Sequence, residues 1–169
     1  MKKAKKQNNK YCWHYTTGEK FQAISESGAI YTEGKTTPVQ IPGLINAVWF
    51  STNQKWEPTA TKAEMDGAGG MKQFSFGRMR QLGGGLVRFG ISADSSFLMT
   101  WDEWKRKCKC SVGIIEGMEQ TALSQGSNVK NFRACLSDVP RELWEVVDVW
   151  ENGKWVRVFT RDEEASAAA

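Results

Sequence analysis

The chain has 169 residues, 40% hydrophobic and 25% charged, the balance of a soluble globular protein with room for one core. No apolar run approaches the roughly 20 residues of a membrane helix, and no apolar segment follows the basic start, so neither an anchor nor a secretory leader is expected. The net charge of +4 is a property of the first ten residues: Lys2, Lys3, Lys5, Lys6 and Lys10 lie there, and the other 18 cations face 19 acids. Residues 1–10 therefore read as a disordered basic tail, solvated or in weak contact with nucleic acid. Residues 11–161 read as a single domain, and residues 162–169 as a second disordered tail.

Tyr11, Trp13 and Tyr15 alternate with Cys12 and His14, which predicts a strand. His14 is the only histidine in the chain. Thr16 and Glu19 have the spacing of a capping box, Phe21, Ala23 and Ile24 give a helical apolar stripe, and Gly28 suits a left-handed C-terminal cap. A short strand is expected at Ala29–Thr32, a loop at Gly34–Gly43, and a compact apolar strand at Ala47–Thr52. Trp56–Ala63 reads as the start of a short helix, with Pro58 in its first turn. Met65–Gly85 carries seven of the 16 glycines and is expected to be a mobile loop, of the kind that can cover a site. Leu86–Ile91 reads as a strand carrying Arg88. Trp101–Lys107 and Ile114–Ser124 read as helices, Phe132–Leu136 as a strand, and Ser137–Pro140 as a turn.

Asn152-Gly153 is a strong two-residue hairpin signal. It sets Glu151 opposite Lys154, Trp150 opposite Trp155 and Asp148 opposite Arg157, pairs of complementary chemistry. In that register Val147, Val149, Val156 and Val158 form a core face, and Glu145 ends its row beside Thr160. A carboxylate there must be paired or line a cleft. Cys12, Cys108, Cys110 and Cys135 are too sparse for a disulfide framework and suit a reducing cytoplasm. Cys108-Lys109-Cys110 lacks the partners of a zinc site, so no metal is expected.

His14-Tyr15-Thr16, Ala47-Val48-Trp49-Phe50-Ser51-Thr52 and Trp144-Glu145-Val146-Val147 follow one another as His, aromatic-plus-Ser and Glu motifs. In this order the chain resembles the ADP-ribosyltransferase-like superfamily, in its His-Tyr-Glu branch with the poly-ADP-ribose polymerases. The likeness spans Tyr11 to Phe159 and rests on three short motifs. Trp49 stands where that branch has Tyr, and Glu142 and Glu151 are neighbouring choices for the third motif.

The resemblance implies an α+β fold of split, antiparallel-rich β-sheets with flanking helices, and NAD bound as substrate between them. It implies that His14 hydrogen-bonds the adenosine-side ribose, that Ser51 and the neighbourhood of His14 (Tyr15 and Thr16) hold the nicotinamide amide, and that Trp49 stacks on the ring. Glu145 would bind the nicotinamide-ribose 2′-hydroxyl and stabilise the oxocarbenium-like sugar left when nicotinamide departs. Arg88 is either a phosphate contact or a solvated strand residue. Three function classes follow: an NAD-dependent ADP-ribosyltransferase or NAD glycohydrolase with an unknown acceptor, a related RNA 2′-phosphotransferase, and a non-catalytic phage or bacterial interaction domain. The second should surround its cleft with more arginines than these motifs supply.

Overall fold

The computed structural model describes residues 10–32, 41–65, 71–162 and 166. The N-terminal lysine tail up to residue 9, most of the loop expected at Gly34–Gly43, the glycine run at 66–70 and most of the C-terminal tail lie outside them. Within the described residues the fold is α+β: a seven-stranded sheet with every pairing antiparallel, two small two-stranded ladders and four helices. No helix among them is long and apolar enough to cross a membrane.

The sheet is built around β1 (Tyr11–Thr17), which pairs along its whole length with β6 (Leu86–Ser92). Beyond β6 come β10 (Val146–Glu151) and β11 (Lys154–Thr160); on the other side of β1 come β3 (Val48–Ser51), β8 (Phe132–Cys135) and β7 (Met99–Thr100). The two halves meet at a single bridge, Trp13 opposite Ser51. Elsewhere along that seam the strands diverge.

Alternation places Cys12, Phe50, Phe89, Ile91 and Val147 on one face, where they form a core cluster with Val48 and Trp144. Helix α1 (Gly18–Ser27) covers this face with Phe21 and Ile24, and Gly28 ends it in the left-handed conformation (φ 69°). The expected capping box is absent. Thr17, buried at the end of β1, is the N-cap residue, and its side chain makes no cap hydrogen bond. A two-stranded ladder of β2 (Ala29–Ile30) and β9 (Val139–Pro140) closes the same side, so the turn expected at Ser137–Pro140 runs into a short strand.

The opposite face carries two aromatic clusters. Helix α3 (Trp101–Lys107) begins with a complete capping box between Thr100 and Glu103 and buries Trp101 and Trp104. Helix α4 (Val112–Ser124) turns Ile115, Met118 and Ala122 inward, while Leu123 is exposed. Where the glycine-rich loop is expected, β4 (Ala63–Met65) pairs antiparallel with β5 (Met71–Gln73), and α2 (Phe76–Leu82) follows, which Ser75 caps through the Arg78 amide. Phe76 of α2 wedges edge-on between Trp56 and Trp150, about 5 Å from each. No helix forms at Trp56–Ala63; the Glu57 carboxylate takes the local donors instead, and the chain turns at Pro58–Thr59.

The Asn152-Gly153 turn has both residues at positive φ (49° and 81°), and Trp150 meets Trp155 at 5.1 Å as the hairpin register requires. A bulge between Val147 and Asp148 then shifts the ladder. Val147 faces Phe159, Thr160 faces Val146, and Val158 is 52% exposed instead of completing a core row. Gly90 stands between Trp13 and Val146; a Cβ there would lie 2.6 Å from Val146 and 2.9 Å from Trp13, so glycine lets those side chains close over β6.

Arg88 is neither solvated nor free. Its Nε and Nη2 donate to the buried Asp148 carboxylate at 2.9 and 2.7 Å, and Nη1 donates to the Gln54 carbonyl. Its guanidinium lies 3.8 Å from the Trp13 ring centre and 4.5 Å from that of Trp155. Arg157 takes the other Asp148 oxygen. Removing one partner of a buried ion pair strands the other charge. Asp148→Ala should therefore lower stability by about 3–5 kcal/mol in urea titration, whereas Glu151→Ala, at the exposed turn, should stay within about 0.5 kcal/mol.

Candidate functional site

Where β1 and β3 separate, a cavity of about 600 Å³ opens. This lies within the range of small-molecule and cofactor pockets. β1 contributes Trp13 through Thr17, β3 contributes Trp49, Phe50 and Ser51, and the outer wall comes from the 57–62 loop, α3 and α4. The sequence-expected residues His14, Tyr15, Thr16, Trp49 and Ser51 all line it.

His14 occupies the gap that strand pairing leaves. Its Nδ1 is 2.9 Å from the Trp49 carbonyl oxygen. A carbonyl only accepts, so Nδ1 carries the proton and donates. In the neutral ring this leaves the Nε2 lone pair as an acceptor. Burial pushes the His14 pKa below its ordinary value, opposed by that hydrogen bond. The neutral ring is thus the form that the site favours. Tyr15 donates its hydroxyl to the Asn53 carbonyl at 2.5 Å and stacks edge-on against Trp56; burial raises its pKa.

Trp49 forms the aromatic wall. Its ring centre is 4.9 Å from that of Trp104 and 6.0 Å from that of Trp101, which are themselves stacked at 5.0 Å. Trp104 donates its indole N–H to the Ile45 carbonyl and Trp101 to Glu119, so polar tips are satisfied while ring faces remain for packing.

Glu57 is the carboxylate of the cavity, 4% exposed and alone of its charge among the described lining residues. Ser51 Oγ donates to it at 2.7 Å and Asn53 Nδ2 at 2.6 Å; the other oxygen takes the Thr59 amide at 3.2 Å, the Thr59 hydroxyl at 3.0 Å and the Ser127 hydroxyl. Ser127 arrives from 70 residues away, just beyond α4. The knot joins β3, the 53–59 loop and the end of α4. Sequence reading passed over Glu57. The available signal was its company, since Ser51, Asn53 and Thr59 are residues whose short side chains seek local donors and acceptors.

Arg88 and Glu145 do not line the cavity. Arg88 packs against Trp13 and is consumed by Asp148. Glu145 lies next to the start of β10, with β6 between it and β1; its amide donates to Gly90 and its carbonyl accepts from Arg161. The pKa of Lys10 is raised chiefly by its side-chain interaction with Tyr11, and the Glu145 charge adds a smaller push in the same direction. Glu142, in the 3₁₀ turn before β10, and Glu151, at the hairpin tip, also lie outside the cavity lining. No group of residues suited to a metal ion occurs among the described residues. No protein family, curated protein or solved structure matches the chain.

A histidine whose folded-state pKa is lowered stabilises the fold above its unfolded value, near 6.5, and loses that contribution as pH falls. The chain has one histidine, so the slope is assignable. Thermal melts should show Tm dropping from about pH 7 to 5.5, and His14→Gln should flatten that limb. An unchanged slope in the variant would show that His14 is not the titrating group.

Proposed function

We propose that the chain cleaves NAD at the bond between nicotinamide and ribose and passes ADP-ribose to an acceptor or to water. The observation that carries this reading is a buried, donor-saturated carboxylate in a cleft of nucleotide-compatible size, with an aromatic wall and a histidine acceptor. In the reaction the C1′–N bond breaks, its electron pair leaves with nicotinamide, and the ribose becomes oxocarbenium-like. An oxygen nucleophile then forms the new bond at C1′ and gives up its proton to water.

Each residue has a part to play. Trp49 offers an aromatic surface to the nicotinamide ring, and Ser51 lies at the same end of the cleft. His14 Nε2 accepts from a ribose hydroxyl. Glu57 takes the electrostatic role that the sequence resemblance gave to Glu145: a fixed negative charge is most useful where positive charge develops, and a dry site strengthens it. The RNA 2′-phosphotransferase reading is less well supported, since no arginine lines the cavity among the described residues.

The test is nicotinamide release from NAD by wild type, Glu57→Gln and Glu145→Gln, each checked for native tryptophan fluorescence. Glu57→Gln should lose roughly a hundredfold in rate with NAD affinity nearly kept, since the charge matters chiefly in the transition state. Glu145→Gln should cleave at the wild-type rate. The assignment to Glu57 falls if folded Glu57→Gln keeps full rate or if Glu145→Gln is the slow variant. A wild type that binds NAD without cleaving it would favour an interaction domain that retains the cleft.

A further inference from the structure

The cleft is charged at both ends, with opposite signs. At one end Ser51, opposite Trp13, holds Glu57. At the other end Gly83 packs against Thr17 and donates to the Met79 carbonyl, and the Lys62 amide donates to Met79 Sδ. Lys62 therefore belongs to the Thr17 end of β1. Trp13 and Thr17 are separated by four residues of strand, about 13 Å.

Two unmet groups line the Thr17 end. Lys62 is exposed and lines the cavity, and its ammonium has no hydrogen bond or ion pair among the described residues. It is also the one lysine or arginine of the described lining. Thr17 lines the same end, is 1% exposed, and its hydroxyl has no hydrogen-bond partner among the described residues. A buried hydroxyl without a partner is unfavourable, and an anionic acceptor would satisfy it.

We propose that Lys62, with the Thr17 hydroxyl, is the phosphate-binding end of the cleft, and that the opposed charges of Lys62 and Glu57 fix which way round a nicotinamide nucleotide lies. This rests on the NAD reading above. The cationic pyridinium goes to Glu57 and the phosphate to Lys62, with the ribose between them in reach of His14. A lysine at the mouth suits this part, since its ammonium on a four-carbon stem can follow a phosphate without fixed planar geometry.

Nicotinamide mononucleotide and nicotinamide riboside differ by one phosphate and separate this proposal from the reading beneath it. Calorimetry at low salt should show wild type binding the mononucleotide at least about tenfold more tightly than the riboside, with the preference shrinking as salt screens it. Lys62→Met, at an exposed position that folding does not need, should bring the two affinities together while leaving the riboside's unchanged. Lys62→Arg should restore most of the preference. If the mononucleotide keeps its advantage in Lys62→Met, or has none in wild type, Lys62 is not the phosphate site and the NAD reading stands on the riboside. If wild type binds neither compound, both readings are overturned.

Discussion

Trp13 sits at the one place where β1 and β3 are bridged, with Ser51 opposite it and the Arg88 guanidinium 3.8 Å from its ring centre. Its indole N–H reaches Gln54, whose amide in turn donates to the carbonyls of Tyr11 and Thr52. Through that residue the two halves of the sheet, the loop beyond β3 and the buried ion network are tied into one unit. A longer ladder between β1 and β3 would hold the halves more firmly and close the cleft. The fold instead concentrates the join at one point and reinforces it with a cation–aromatic contact, of a kind that strengthens when desolvated. Gly90 is part of the same arrangement, because only a missing side chain lets Trp13 and Val146 meet over β6.

Tryptophan is used here as a two-ended residue. Trp104 and Trp155 each donate to a backbone carbonyl remote in the chain, at Ile45 and Lys55, and Trp144 donates to Val139, five residues back. Trp104 and Trp155 thereby pin irregular segments with their polar tips, and the Trp144 tip ties the start of β10 back to β9. This gives those tryptophans a structural reason that needs no ligand, and it shapes the cleft as well: the wall at Trp49 is backed by Trp101 and Trp104, whose indole N–H groups are both anchored.

What the sequence disclosed depended on range. The hairpin, β1, β3, β6, α3 and the left-handed cap at Gly28 follow from local patterns and stand in the structure. The residues expected on β1 and β3 came from the motif order of the resemblance, and they line the cavity because the two strands separate there, which strand alternation alone does not reveal. Glu145 was placed by counting outward from Asn152-Gly153, and a bulge has no sequence mark strong enough to correct such a count. Glu57 was hidden for another reason. Pro58 and the following alanine and threonine suggested a helical first turn, whereas the decisive partner, Ser127, is remote in sequence and near only in the fold. Arg88 reads from sequence as a phosphate contact or a solvated strand residue, and only the pairing of β6 with β10 sets it opposite Asp148.

The place of His14 in the gap between β1 and β3 has a practical side. A chain with one imidazole gives one set of imidazole signals, and here the Nδ1 proton is held against the Trp49 carbonyl inside the seam of the sheet. Its exchange with solvent reports whether the two half-sheets stay together, while the shift of Nε2 reports what stands in front of it. A single nucleus pair in the whole molecule thus watches the seam from one side and the cleft from the other.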